Sequence, residues 1–487
     1  MNGIGRLLHL ATTLERENIE AFIRSEYDPR RTSSEKSAAI VAISIIEAAK
    51  SVGTPVISLG GSLHVWSNTH YTKISSEGVE SLKEAFAQSA GWTIVDTAVT
   101  KFIKEFTRVL LRQSEPAKVF VGQFQLLQGM TFEDGVVIVK EDGKWGFRPG
   151  HKPNEISTYC IPDRFKSDRK NNSDWSKFIE RLLPSEEQRK YVLASLGNSI
   201  CGDPLNAQKM LILLGAAGAG KSTLIEAVCN LVGKNNVMRV DTLAQLTADD
   251  SRHRMGLAYN TLCVCGDASD RLGNKDVLKQ IVSKEEITAR LLFSEPIKIK
   301  PKSSVVIATN EIGFTHALSD GGLSRRMDII MFDKGLEEKD RDSNLLNKLS
   351  TDEAKKVIGR ELMMALIFHS EINSYKLVRP PEIEKSLDAL RQDGDALLSF
   401  FAMHGLSPLT SESQKISIHQ DDLLTQFNQF CLANGFKPMS MRKLKGKCRS
   451  FGVFAESCRG NKHRYHLFVI DEEMLRGNGL YPSVKYE

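Results

Sequence analysis

The chain has 487 residues, a formal net charge of +5 at neutral pH, and 41% hydrophobic, 26% charged and 7% aromatic residues. Its length exceeds one ordinary core and implies about three folding units at roughly 100–200 residues each, while its composition excludes chain-wide disorder, collagen-like repeats and low complexity. The eight cysteines form no CxxC pair or zinc-spaced cluster and read as reduced core thiols; with no secretory leader and no stretch of roughly 20 apolar residues, a soluble cytoplasmic protein without a membrane partner is expected.

From residue 1 to about 129 the pattern predicts mostly helix, with amphipathic segments at 34–51 and 79–90 and one short strand-like piece at 63–66. No chemistry is visible there. Residues 131–148 change to glycine-punctuated alternation, predicting a hairpin that turns at Glu141-Asp142-Gly143, followed by an irregular link over 150–172. A helix is predicted over 175–183, and Pro184 with Ser185-Glu186-Glu187-Gln188 makes a capping-box start for another that runs to about 200. Between 209 and 332, short apolar and β-branched runs (210–214, 261–265, 305–308, 329–332) alternate with helical stretches, as a parallel α/β sheet requires. A Pro-rich joint, Val378-Arg379-Pro380-Pro381, and a polar stretch over 407–418 set off a basic C-terminal unit.

The central motif is Gly215-Ala216-Ala217-Gly218-Ala219-Gly220-Lys221-Ser222, followed by Thr223, which fits G-x-x-x-x-G-K-[ST] between a buried-strand run and an amphipathic helix ended by Gly233. In that context glycines let backbone N–H groups curl around phosphates, Lys221 reaches the β- and γ-phosphates of ATP, and Ser222 ligates Mg²⁺. An acidic residue at a neighbouring strand end must complete the metal site. Asp267 is the best candidate, Asp241 ends a shorter run and is the weaker one, and Ala268 stands where a second acid often follows. Either Asp267 serves alone or Asp270 supplies the base. Asn310, after the run 304–308, is placed as a γ-phosphate sensor, and Arg325-Arg326, just before the run 329–332, is placed to stabilise transition-state charge on ATP held by a neighbouring subunit.

The phosphate loop, Asp267, the segment 278–301, Thr309-Asn310-Glu311 and Ser324-Arg325-Arg326 together resemble superfamily 3 helicases, and more closely the phage, plasmid and poxvirus primase-helicase group. The resemblance runs from about residue 66 to the C-terminus and implies a multidomain α/β protein. Its helicase-associated, mostly helical N-terminal domain is expected at 1–200, its P-loop AAA+-like ATPase domain at 201–376, and a linker with a C-terminal winged helix at 377–487. It implies a homo-oligomer, a hexamer around single-stranded DNA with ATP at subunit interfaces, acting as the replication initiator helicase of a mobile element in a bacterial host. A separate primase or polymerase is the expected partner, because no paired strand-borne acids for a two-metal polymerase site occur in the first residues. By the same resemblance Lys221, Ser222, Asp267 and Asn310 take the roles given above, and Arg326 is preferred over Arg325 as the trans arginine.

Residues 279–290 resemble the motif preceding the family's DNA-touching hairpin, which would turn within Leu291-Leu292-Phe293-Ser294-Glu295. The family commonly has a lysine beside an aromatic there, whereas here Leu292 precedes Phe293; Arg290 and the alternating Lys298, Lys300 and Lys302 are the alternative phosphate contacts. At the C-terminus, an amphipathic helix over 422–434, a basic helix over 440–450 and a hairpin turning at Arg459-Gly460-Asn461 suggest the winged helix. Arg442, Lys443, Lys445, Lys447 and Arg449 would lie near DNA phosphates or in the groove, with Arg459, Lys462 and Arg464 on the wing. Rival readings are a DNA-stimulated packaging or loading ATPase and an origin binder whose ATP only fixes the oligomer.

Overall fold

The computed structural model describes Gly5, Leu8, residues 34–469 and 485–486, apart from 90–91, 121–122, 168–171, 249–250, 268–272, 291–295, 311–317, 319, 333–334, 336–341, 395, 408–414, 435, 437, 451–452 and 459–461. The chain divides into two compact units, Met1–Glu311 with Arg326–Pro380, and Ile312–Arg325 with Pro381–Glu487.

In the first unit, α1 (Ser34–Ser51) is an alanine- and isoleucine-rich helix that buries Val41, Ile45 and Ile46. Three short strands follow, β1 (Val56–Leu59), β2 (Ser62–Trp66) and β3 (Tyr71–Lys73), forming one antiparallel sheet. The β1–β2 connection is Gly60-Gly61, both at positive φ, the conformation a two-residue hairpin turn demands. Helices α2 (Ser76–Ser89) and α3 (Thr100–Gln113) close the core with Phe86, Phe102, Phe106 and Leu110. Helix still predominates among the described residues of this part, and three strands stand where one strand-like piece was expected. Runs of three to five strand residues are too short to separate from helix by periodicity alone.

The predicted hairpin is present as β5 (Gly135–Val139) and β6 (Trp145–Pro149), with β4 (Gly129–Phe132) added on the other edge of β5. Gly143 at φ +79° makes the turn. Helix α4 (Ser173–Leu182) is capped by Asn172, and α5 (Glu186–Ile200) by Ser185, whose hydroxyl accepts from the N–H of Gln188. Both pack on the long helix α8 (Asp352–Ile372): Trp175 donates through Nε1 to Glu361 at 2.6 Å. At the α5 crossing a Cβ on Gly197 would stand 2.5 Å from the Leu362 carbonyl oxygen.

The centre is a parallel sheet of five strands: β7 (Met210–Gly215), β8 (Val237–Thr242), β9 (Leu262–Asp267), β12 (Ser304–Thr309) and β13 (Met327–Phe332), in the order β8-β9-β12-β7-β13. The apolar runs form strands as expected, and the run around Val240 adds β8 as an edge. Helix α6 (Lys221–Val232) follows β7, and α7 (Lys275–Val282) precedes a small antiparallel hairpin of β10 (Ile287–Ala289) and β11 (Ile297–Ile299).

The second unit contains α9 (Pro381–Gly394), α10 (Ala396–Met403), β14 (Lys415–His419), α11 (Gln420–Ala433), α12 (Met441–Ser450), β15 (Phe454–Cys458) and β16 (Lys462–Val469). Strand β16 pairs antiparallel with both β14 and β15, and Phe400, Phe427, Leu444, Cys448 and Leu467 share its core. The stretch over 407–418, read as polar linker, thus contributes a strand in which Ile416, Ser417 and Ile418 are all buried. Among the described residues no helix is long and apolar enough to cross a membrane.

Candidate nucleotide site and nucleic-acid interfaces

Strand β7 is apolar on both faces because it lies inside the sheet, and Met210 to Leu214 are all buried. Past its C-terminal end the loop needs glycine at defined points. Gly215, Gly218 and Gly220 have φ of +143°, +76° and +105°. A Cβ on Gly215 would also stand 2.1 Å from the Phe332 carbonyl oxygen, and one on Gly220 3.1 Å from the Phe178 ring. Helix α6 then starts at Lys221, so its unpaired N–H groups and positive dipole end belong to the same loop.

This loop, Ser222, Thr223, Gly266 near the end of β9, and Ala308, Thr309 and Asn310 at the end of β12 line one cleft of about 900 Å³. That volume and that cradle fit a nucleoside triphosphate, whose anionic end would meet the backbone N–H groups. Lys221 is buried, and its ammonium donates to the carbonyl oxygens of Gly215 and Ala216, both at 2.7 Å, and to Asn310 Oδ1 at 3.1 Å. Burial lowers its pKa from the ordinary lysine value. Lys221 and the sensor candidate Asn310, far apart in sequence, are thus in direct contact.

Asp267 is the last residue of β9, level with Thr242 of β8; its side chain, Ala268 and Asp270 lie outside the described part. Strand β9 is separated from β7 by β12, whereas β8, which carries Asp241, is the far edge of the sheet. Asp241 is exposed and accepts from Gln245 Nε2 at 3.0 Å.

Five cleft residues escaped the sequence reading: Phe178 and Arg181 from α4, and Asp342, Ser343 and Leu345. Lys348, 2.8 Å from Asp342, and the Asn344 N–H hold that carboxyl below the usual carboxylate range. The stripe Trp175, Phe178, Ile179 and Leu182 did signal an amphipathic helix. Nothing in it says that the helix packs under the phosphate loop.

The two arginines differ. Arg325 is exposed at the end of a helical turn, Gly321–Ser324; Arg326 is only 8% exposed and donates through Nε to Ser283 Oγ at 2.7 Å. Asp328, two residues on, is fully buried and accepts from Tyr191 Oη and Arg379 Nε, with Lys209 Nζ at 3.5 Å, a buried ionic cluster that the sequence did not reveal.

Of the hairpin residues, Arg290 follows β10 and is exposed, Lys298 is exposed with Nζ 3.1 Å from Thr288 Oγ1 across the pair, and Phe293 with the rest of 291–295 lies outside the described residues. The strand ends at Ile299, so Lys300 and Lys302 lie in the segment leading to β12, and the period-two face does not extend to them. On α12, Leu444 and Cys448 turn inward, Arg442, Lys443 and Arg449 are exposed, and Lys445 and Lys447 are half-buried. Arg464 is half-buried on β16, Lys462 begins that strand, and Arg459 lies outside the described residues.

Among known proteins, residues 213–326 match a family of unknown function, DUF5906. A protein of Acanthamoeba polyphaga mimivirus described as a "Putative helicase" is 28% identical over 195 residues, which is 38% of this chain and 20% of that protein. The chain thus spans only a fifth of that relative. Two solved apo structures of the NrS-1 C-terminal region are similar at 11% identity with a TM-score of 0.41, covering 88% of this chain and 98% of theirs.

Proposed function

We propose that this chain is an ATP-hydrolysing DNA motor, a ring-forming replicative helicase and initiator of the superfamily 3 type. The contact of Lys221 with Asn310 in a glycine-rich, nucleotide-sized cleft carries the proposal, because loop, sensor candidate and the end of β9 meet only in the folded sheet. The sheet supports an AAA+-like reading: taken by chain order its strands run second, third, fourth, first, fifth, which inserts the sensor strand between the loop strand and the Asp267 strand. The relative described as a helicase supports the choice of DNA as substrate.

In this reading backbone N–H groups of 215–220 and Lys221 hold the triphosphate, and Asn310 orients the attacking water. Ser222 and Asp267 would hold Mg²⁺, which when bound neutralises charge developing on the phosphates. Exposed Arg325, rather than buried Arg326, takes the trans role toward a neighbouring subunit's ATP, an effect that can reach about a thousandfold in rate. The order α10-β14-α11-α12-β15-β16 supports a winged helix, with the exposed basic side chains of α12 toward DNA phosphates.

The test is strand displacement on forked DNA with ATP turnover recorded in the same tube, for the native chain and Lys221→Ala. Displacement and turnover that both need Lys221 support the helicase. Turnover stimulated by DNA without displacement points instead to a packaging or loading motor, and DNA binding without turnover to an ATP-fixed origin binder.

A further inference from the structure

Helix α7 ends at Val282 with Ser283 as its C-cap, and the next residue, Lys284, takes the left-handed conformation at φ +57°. That conformation is unfavourable for a side-chain-bearing residue. Here the half-buried Lys284 donates through Nζ to the carbonyl oxygens of Lys302 (2.8 Å) and Ser303, with Ser304 Oγ at 3.5 Å, just before and at the start of β12. The preceding Ser283 hydroxyl accepts from Arg326 Nε, one residue before β13. Two adjacent side chains thus tie three things together: the foot of the β10–β11 hairpin, the beginning of the strand that leads to Asn310, and the residue next to Arg325.

We propose that Ser283 is a positioning residue that couples the nucleotide sites to the hairpin, so that Arg326 acts through Ser283 and does not itself reach ATP. The coupling rests on the motor reading above. Asn310 reports on ATP held by the same subunit at one end of β12, and Lys284 grips the other end. Arg325 reports on the neighbour's ATP, and its chain neighbour Arg326 grips Ser283. A shift at either strand therefore arrives at one point, from which the hairpin leaves three residues later.

The full chain is tested as native, Ser283→Ala, Ser283→Thr and Arg326→Lys, reading thermal midpoint, ATP turnover alone and turnover with single-stranded DNA. Ser283→Ala removes the acceptor; it should keep turnover without DNA and lose at least about fivefold of the stimulation by DNA, the lower end of ordinary coupling between sites. Ser283→Thr, which keeps a hydroxyl, should restore it. Arg326→Lys, which keeps the charge but withdraws Nε, should lose stimulation as Ser283→Ala does. Native stimulation in Ser283→Ala, or an equal fall with and without DNA accompanied by a lower midpoint, overturns the coupling and leaves the motor reading standing. A native chain whose turnover ignores DNA overturns both.

Discussion

Replacing Asp328 with alanine removes the buried carboxylate that two cations share. Its carboxylate is fully buried, Oδ1 accepts from Arg379 Nε, Oδ2 accepts from the Tyr191 hydroxyl, and Lys209 Nζ stands 3.5 Å away. The Arg379 side chain is 8% exposed and that of Lys209 15%, so neither can rehydrate without moving. Removing one partner of a buried pair costs about 3–5 kcal/mol, chiefly because the remaining charge is left uncompensated. Lys209 also donates to the Leu377 carbonyl at 3.0 Å, and Arg379 to that of Met327 at 2.9 Å, which places the expected loss near the lower end, about 3 kcal/mol. In thermal unfolding of the full chain followed by circular dichroism, the midpoint of the first unit should fall by roughly 4 °C. The diagnostic companion is Asp328→Ala with Arg379→Met, which removes a stranded cation and should be more stable than the single variant. A single-variant loss below about 1 kcal/mol, or a double variant whose losses simply add, would refute the argument that the charge balance of this cluster holds β13 in place.

Burial lowers His64 and His70 to about 4 from the ordinary 6.5, so between those values the unfolded chain binds more protons and stability falls as pH falls through that window. Urea unfolding at about pH 7 and about pH 4.5 should show a smaller drop for His64→Gln than for the native chain; equal drops count against the reading. If α12 faces DNA phosphates, Arg442→Ala with Lys443→Ala should weaken duplex binding and reduce the slope of log affinity against log salt by about 2. An unchanged slope would remove α12 from the interface.

The elements most legible in the sequence were those whose signal is local. Ser185 announced α5 by its cap, Glu141-Asp142-Gly143 announced a hairpin, and the runs at 210–214 and 305–308 announced strands buried on both faces. The phosphate loop was legible because three glycines at fixed spacing answer to backbone geometry, at Gly215 and Gly220 reinforced by closed space. The strands at 56–59, 62–66 and 71–73 were under-read although Gly60-Gly61 marked their turn, since such short runs carry almost no periodicity. Contacts across long sequence separations left no trace: Phe178 beneath Gly220, Arg326 on Ser283, and Asp328 among Tyr191, Lys209 and Arg379. Two adjacent arginines look alike in a sequence. Only the packing of β13 separates the buried one from the exposed one.

The position of β7 within the sheet has a bearing on how the protein is made. Its two neighbours, Ser304–Thr309 and Met327–Phe332, are both synthesised long after it. A nascent chain therefore exposes the apolar run at 210–214 until both arrive, an interval in which such a run is prone to wrong pairing. The carbonyl of Phe332 that closes on Gly215 comes last of all. The phosphate-type loop that leans on this carbonyl is therefore complete only once the ribosome has delivered the whole sheet.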